Sequence, residues 1–105
     1  MGSGAKDFYK VGLRCISVGD LDGAIGGFRQ ALQVDGAYYM AHLGWSQALD
    51  RKGEVDAAIE QAQLAIELAP EEPLAHASLS RLHQQKGRIA EAEAAMAESM
   101  RLQKG

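Results

Sequence analysis

A period of 34 residues is the feature that most constrains how this chain folds. Gly19, Gly53 and Gly87 follow one another at that interval. Further columns share it: Gly12, Ser46 and Ser80; Leu21, Val55 and Ile89; Ala24, Ala58 and Ala92; Ala31, Ala65 and Ser99; Val34, Leu68 and Leu102. Self-similarity at a fixed period of this length is typical of supersecondary units that stack on one another. The sequence therefore predicts three such units.

Each unit is predicted to be a pair of helices. Good helix formers dominate the chain, and its only two prolines lie close together at Pro70 and Pro73. Apolar residues at three- and four-residue spacing place the first helices at about 5–18, 39–52 and 73–86, and the second at about 21–35, 55–69 and 89–103. The glycine after each first helix favours a left-handed stop. Asp20 is placed to cap the helix that follows.

The columns of small residues predict where the two helices of a pair approach closely. Helices can come near each other only where side chains are short. The pairs expected to face each other are Gly12 and Ala24, Ser46 and Ala58, and Ser80 and Ala92.

These features together resemble the tetratricopeptide repeat family over about residues 5–104. The middle unit carries the resemblance best, in "AHLGWSQALDRKGEVDAAIEQAQLAIELAP". Two details depart from the family pattern. The family has an aromatic residue in the column of Phe8, but units two and three carry His42 and His76 there. A closing proline is present only at Pro70. The resemblance implies an all-α fold of antiparallel helix pairs stacked as a right-handed α-solenoid. It divides one domain, 5–105, into units 5–38, 39–72 and 73–105, after a flexible leader or cloning remnant at 1–4.

Composition excludes several classes of function. Lys and Arg number 11 against 14 Asp and Glu, and the net charge of −3 gives no reason to expect nucleic-acid binding. No apolar stretch is long enough to insert into a membrane, and no signal peptide is apparent. A single cysteine cannot build an internal disulfide framework. A cytoplasmic location is the expectation.

The segment 19–27, "GDLDGAIGG", holds four glycines and two aspartates in nine residues and is a candidate ligand loop. It lacks the lysine of a phosphate loop and the oxygen ligands of a calcium loop, so we interpret it as a turn and a helix start. The histidines His42, His76 and His83 fall in packing columns and lack the spacing of a helical zinc pair. Cys15 stands in an otherwise apolar column. The sequence therefore predicts no enzyme activity, no cofactor and no metal.

Three glycines of the second helix are not explained by the repeat: Gly23, Gly26 and Gly27. Each costs roughly 0.8–1.0 kcal/mol relative to Ala in a helix. They mark either a close approach by a neighbouring backbone or a soft surface, by which we mean an exposed helix face of low intrinsic stability. The soft surface is the interpretation we favour.

A concave groove, lined by the first helix of each pair, is what the resemblance implies as the binding surface. The groove-facing columns fall on Lys6, Tyr9, Lys10, Leu13 and Ile16 in unit one, on Met40, Leu43, Gly44, Gln47 and Asp50 in unit two, and on Leu74, Ala77, Ser78, Arg81 and Gln84 in unit three. The residues taken as candidates for partner binding are Lys6, Tyr9, Lys10, Leu13, Met40, Leu43, Gln47, Leu74 and Arg81. Such an apolar strip edged by cations suits a peptide or an amphipathic helix of a partner protein. The alternative is that these side chains pack between helices.

One subclass of the family binds the acidic tails of heat-shock chaperones through a clamp of Lys, Asn and Arg. The corresponding positions here are Tyr9, Leu13, Gly44, Leu74 and Ser78. None matches, so chaperone-tail binding is not expected.

Self-association is the second hypothesis. Repeat arrays expose an apolar face wherever no further unit or polar cap covers the last helix. The residues predicted to form that face are Ile89, Ala92, Met96, Met100 and Leu102. They would favour a homo-oligomer, unless the chain is a fragment of a longer array.

Overall fold

The computed structural model describes residues 4–104, and these form six helices. They are α1 (Ala5–Ser17), α2 (Leu21–Val34), α3 (Tyr39–Arg51), α4 (Val55–Leu68), α5 (Pro73–Gln85) and α6 (Ile89–Lys104). Each pair α1–α2, α3–α4 and α5–α6 packs together, and α2 packs on α3 as α4 packs on α5. The predicted all-α stack of antiparallel helix pairs is confirmed.

The turn inside each pair follows from its glycine. Gly19, Gly53 and Gly87 have φ angles of 83°, 85° and 75°, in the left-handed region that only glycine enters cheaply. In unit one the amide of Gly19 donates to Ile16 O at 3.0 Å, and that of Asp20 to Cys15 O at 2.8 Å. This pair of bonds closes the end of α1 as a Schellman motif.

The segment 19–27 is a turn and a helix start, as predicted. The Asp20 carboxylate accepts a hydrogen bond from the Gly23 amide at 2.9 Å and so caps α2. The predicted leader, 1–4, falls outside the described residues except for Gly4. Gly4 is the N-cap of α1, and its amide donates to Asp7 Oδ2 at 3.2 Å.

The columns of small residues hold the two helices of a pair together in two different ways. In units two and three a buried serine of the first helix donates to a carbonyl of the second: Ser46 Oγ to Ala58 O at 2.8 Å, and Ser80 Oγ to Ala92 O at 2.7 Å. These bonds confirm two of the predicted facing pairs, Ser46 with Ala58 and Ser80 with Ala92. In unit one the place of the serine is taken by Gly12, which has no side chain to donate.

The soft-surface interpretation is wrong for Gly27. This glycine is buried, and a Cβ built on it would lie 2.9 Å from Gly12 N, so α1 and α2 meet backbone to backbone. Gly26 faces open space, with nothing within 4 Å of a built Cβ. Gly23 lies under the Asp20 cap. Gly27 thus allows the close approach of α1, Gly23 donates to the cap of α2, and Gly26 does neither.

Phe28 fills the space left where first helices meet. Its side chain is 0% exposed and lies in one core cluster with Ile16, Ala31 and Ala48. A Cβ on Gly44 would lie 2.5 Å from the Phe28 ring, and one on Gly12 would collide with it as well. The ring therefore fits between α1 and α3 because both helices carry glycine there.

The stack has two unlike sides. Helix α3 contacts both α1 and α5, so the three first helices lie side by side. Within residues 4–104, the Cα atoms of α2, α4 and α6 stay more than 8 Å from one another. The side formed by α1, α3 and α5 is concave, and furrows separate the second helices on the convex side.

Ion pairs between units repeat with the same period as the sequence. Lys52 Nζ lies 2.7 Å from Asp22 Oδ1, and Lys86 Nζ lies 3.3 Å from Asp56 Oδ1. Both pairs join the turn of one unit to the second helix of the preceding unit. They are exposed, so solvent and salt screen them and they contribute little to stability. Among the helices described here, none combines the length and the apolar character needed to cross a bilayer.

Candidate functional site

The concave side carries a groove of about 370 Å³ between α1, α3 and α5. Its walls come from all three units. The lining residues are Tyr9, Met40, Leu43, Gly44, Ser46, Gln47, Asp50, Arg51, Leu74, Ser78 and Arg81.

Six of the nine candidate residues meet in this groove: Tyr9, Met40, Leu43, Gln47, Leu74 and Arg81. Lys6, Lys10 and Leu13 do not line it and lie on the exposed surface of α1. Helix α1 has a first helix beside it on one side only, so only its Tyr9 turns toward the groove. Of the wider set of columns, Ile16 is buried in the core instead.

Tyr9 closes one end of the groove. Its ring lies 5.8 Å from the Phe28 ring and 5.6 Å from the Tyr38 ring, the latter edge-on. Burial raises the pKa of the Tyr9 phenol above its ordinary value, and the neighbouring Tyr38 and Tyr39 raise it further. The phenol therefore stays neutral and can donate a hydrogen bond to a ligand in the groove.

The opposite edge of the groove is charged. Arg81 Nη2 lies 3.8 Å from Asp50 Oδ2, and Arg51 lines the same edge. An apolar floor between a phenol and an ion pair can hold a segment that offers apolar side chains and polar main-chain groups. Of the lining residues, sequence reasoning missed Ser46 and Arg51; Ser46 was assigned only to packing, and its hydroxyl is indeed taken by Ala58 O.

The three histidines serve packing and local hydrogen bonds. His42 Nδ1 lies 2.8 Å from Gln61 Oε1, and His76 Nε2 lies 2.9 Å from Pro70 O. His83 is buried, and its Nδ1 has no partner among residues 4–104. In that same part of the chain, no three His, Cys, Asp or Glu side chains cluster in a way that could hold a metal ion.

The face predicted for self-association is partly exposed. Ile89 and Met100 are each 56% exposed and Met96 is 39% exposed, while Leu102 is half-buried. Ala92 does not belong to this face: it is 1% exposed because it packs against α5, where its carbonyl accepts the Ser80 hydroxyl.

Comparison with known families supports the fold. The sequence model described as Tetratricopeptide repeat matches residues 37–72, which contain α3 and α4. The solved structure of MamA is similar, with a TM-score of 0.90 and 23% identity over 96% of this chain. Residues 37–72 match the family by sequence, and residues 4–104 have the fold of a tetratricopeptide repeat stack. The chain spans 59% of the length of that MamA chain.

Two further solved structures are similar over 93% of this chain. The second TPR of Spaghetti (RPAP3), bound to the HSP90 peptide SRMEEVD, has a TM-score of 0.87 and 19% identity, and 91% of its own length is covered. The Yersinia enterocolitica type III secretion translocator chaperone SycD, in an alternative dimer, has a TM-score of 0.88 and 21% identity, with 74% of its length covered. At these identities the likeness shows the fold. No curated protein sequence matches the chain significantly.

Proposed function

We propose that this chain is a non-enzymatic protein-interaction module that holds a peptide or helix of a partner protein in the concave groove. The observation that carries the proposal is the meeting of apolar side chains from all three units, Tyr9, Met40, Leu43 and Leu74, in one groove. A site shared by three units suits a segment that runs across the stack. The cytoplasmic location stays a prediction.

The similar structures agree with this proposal at the level of interaction. The Spaghetti repeat is seen with a bound peptide, and SycD is a secretion chaperone. We do not extend the HSP90 peptide to this chain. Four of the five clamp positions, Tyr9, Gly44, Leu74 and Ser78, line the groove here without offering a cation or an amide.

The test compares two variants that differ only in which face they charge. Leu74→Glu and Ile89→Glu each replace a side chain about half exposed in the first turn of a helix, α5 or α6. Glutamate suits both positions, since it complements the helix dipole. Tagged wild type and both variants are used to capture proteins, which are quantified by mass spectrometry.

We expect a set of proteins that wild type and Ile89→Glu capture equally and that Leu74→Glu captures about tenfold less, because a bound segment would bury the new carboxylate beside Met40 and Leu43. Equal capture by Leu74→Glu and wild type would show that the groove does not bind the partner.

Self-association through α6 is the second candidate function. It is favoured by the repeat register: Met96 occupies the position of Phe28 and Ala62, which are both 0% exposed in their units. The face that packs on the next unit in α2 and α4 is thus uncovered on α6 within the described residues. The exposed apolar residues that a second copy would cover are Ile89, Met96 and Met100.

A further inference from the structure

A second concavity of the described chain is larger than the concave groove. It is a furrow of about 590 Å³ on the convex side, between α4 and α6 and above α5. Its floor is apolar and is formed by Ile66, Leu79 and Ala95. Its rim carries three carboxylates, those of Glu67, Glu91 and Glu98. Neither the repeat pattern nor the proposed function accounts for it.

The equivalent space one unit earlier, between α2 and α4, holds larger side chains. Trp45 stands there in the register of Leu79, and Arg29 in the register of Gln63. The Arg29 guanidinium lies 5.9 Å from the centre of the Trp45 ring, which it covers. In the later furrow a leucine replaces the indole, and an uncharged amide replaces the guanidinium. The later furrow therefore lacks the indole and the guanidinium that occupy the earlier space.

A second bridge is also absent from the later furrow. His42 and Gln61 join α3 to α4 through a contact of 2.8 Å between Nδ1 and Oε1. One unit on, Ala95 takes the place of Gln61 and has no group to offer. His76, in the register of His42, bonds instead to Pro70 O at 2.9 Å. The α4–α6 furrow is open because shorter side chains stand at three registers. These are Leu79 for Trp45, Gln63 for Arg29 and Ala95 for Gln61.

The rim gives this open furrow a charge. Within residues 4–104, Glu67 and Glu91 form no ion pair, while Glu98 is paired with Arg101. Two uncompensated carboxylates beside an apolar floor favour a ligand that is apolar in the middle and cationic at its flanks.

We propose that the α4–α6 furrow is a second docking site, which binds a partner segment with an apolar anchor side chain flanked by lysines or arginines. The anchor takes the space that Trp45 fills one unit earlier. The flanking cations pair with Glu67 and Glu91. This site lies on the opposite side from the concave groove and does not depend on it.

The test uses a fluorescein-labelled amphipathic peptide with leucine on one face and lysine on the other, and a matched peptide with glutamate for lysine. Binding to the full chain is followed by fluorescence anisotropy at low and high salt. We expect the lysine peptide to bind and the glutamate peptide not to bind. Affinity for the lysine peptide should fall with salt, because the ion pairs are near the surface. No binding of the lysine peptide would overturn the proposal.

Two sets of variants locate the site. Glu67→Gln with Glu91→Gln should weaken binding about tenfold, whereas Glu93→Gln, on α6 but outside the furrow, should leave it unchanged. Equal weakening by Glu93→Gln would show that the effect does not depend on the furrow and would overturn the proposal.

Leu79→Trp restores the side chain that closes the earlier furrow, and it should reduce binding about tenfold or more, because the anchor then has no space. Ala95→Gln is the second filling variant, used with circular dichroism to confirm that at least one of the two stays folded. Full binding by a folded filling variant would overturn the proposal.

Two further controls separate this site from other surfaces. Leu74→Glu should bind the peptide as wild type does, so failure of the concave groove and failure of the furrow are distinguishable. If the chain self-associates and Leu79→Trp abolishes that association, the occupant of the furrow is a second copy of the chain. This result would also overturn the proposal.

Discussion

At the scale of single residues, two neighbouring glycines of α2 have different surroundings. Gly26 faces open space, while a Cβ on Gly27 would lie 3.1 Å from Gly12 Cα and 3.1 Å from Phe8 O. The backbone atoms of α1 cannot move aside as a flexible side chain can. The same substitution therefore has opposite signs at the two positions.

We expect Gly27→Ala to lower the free energy of unfolding by about 1–3 kcal/mol, as overpacking does. Gly26→Ala should raise it by about 0.8–1.0 kcal/mol, because alanine is the better helix former. Urea unfolding followed by circular dichroism measures both. A stabilising Gly27→Ala would mean that α1 and α2 can separate without cost.

At the scale of helices, Phe28 is the side chain through which α2 holds α1 and α3 together. It lies against Gly12 and Gly44, one from each of those helices. In a repeat protein each unit contacts only its neighbours, so the loss of this contact should be felt locally. Met96, in the same register of unit three, provides a natural control because nothing in the described chain covers it fully.

We expect Phe28→Ala to cost about 3–5 kcal/mol of unfolding free energy, the cost of deleting a buried aromatic ring. Hydrogen exchange should show the largest loss of protection in α1 and α2, and a smaller loss in α5 and α6. Met96→Ala should cost less than about 1 kcal/mol, since its side chain is 39% exposed. Uniform loss of protection across all six helices in Phe28→Ala would contradict a local effect.

At the scale of the whole molecule, the stack presents three different surfaces: the concave groove, the convex α4–α6 furrow and the outer face of α6. We propose a different ligand chemistry for each of the first two surfaces. The third is an apolar face of Ile89, Met96 and Met100 that a second copy would cover.

Light scattering over a concentration series tests this third surface. If the α6 face drives self-association, the mean mass of wild type rises with concentration, and Met96→Glu with Met100→Glu keeps it at the monomer value of 11.2 kDa. Met40→Glu, which charges the concave groove instead, serves as the control and should associate as wild type does. A mass for wild type that stays at the monomer value at every concentration would exclude self-association through α6.

Much of the fold follows from the sequence alone, because its signals are local. A left-handed glycine every 34 residues, small residues where helices meet, and apolar stripes at helical spacing define six helices and their pairing. The groove was less predictable. Met40, Leu43 and Leu74 were found from the repeat columns, but Lys6, Lys10 and Leu13 share those columns and do not line the groove, since α1 has a first helix on one side only.

What only the tertiary structure decided is where space is left over. The close contact at Gly27, the burial of Ala92 and the open α4–α6 furrow depend on distances between helices. Such distances are set jointly by side chains from several helices: Phe28 with Gly12 and Gly44, or Trp45 with Arg29. A periodic sequence determines which residues share a register, whereas the space left between helices depends on how all of their side chains pack together.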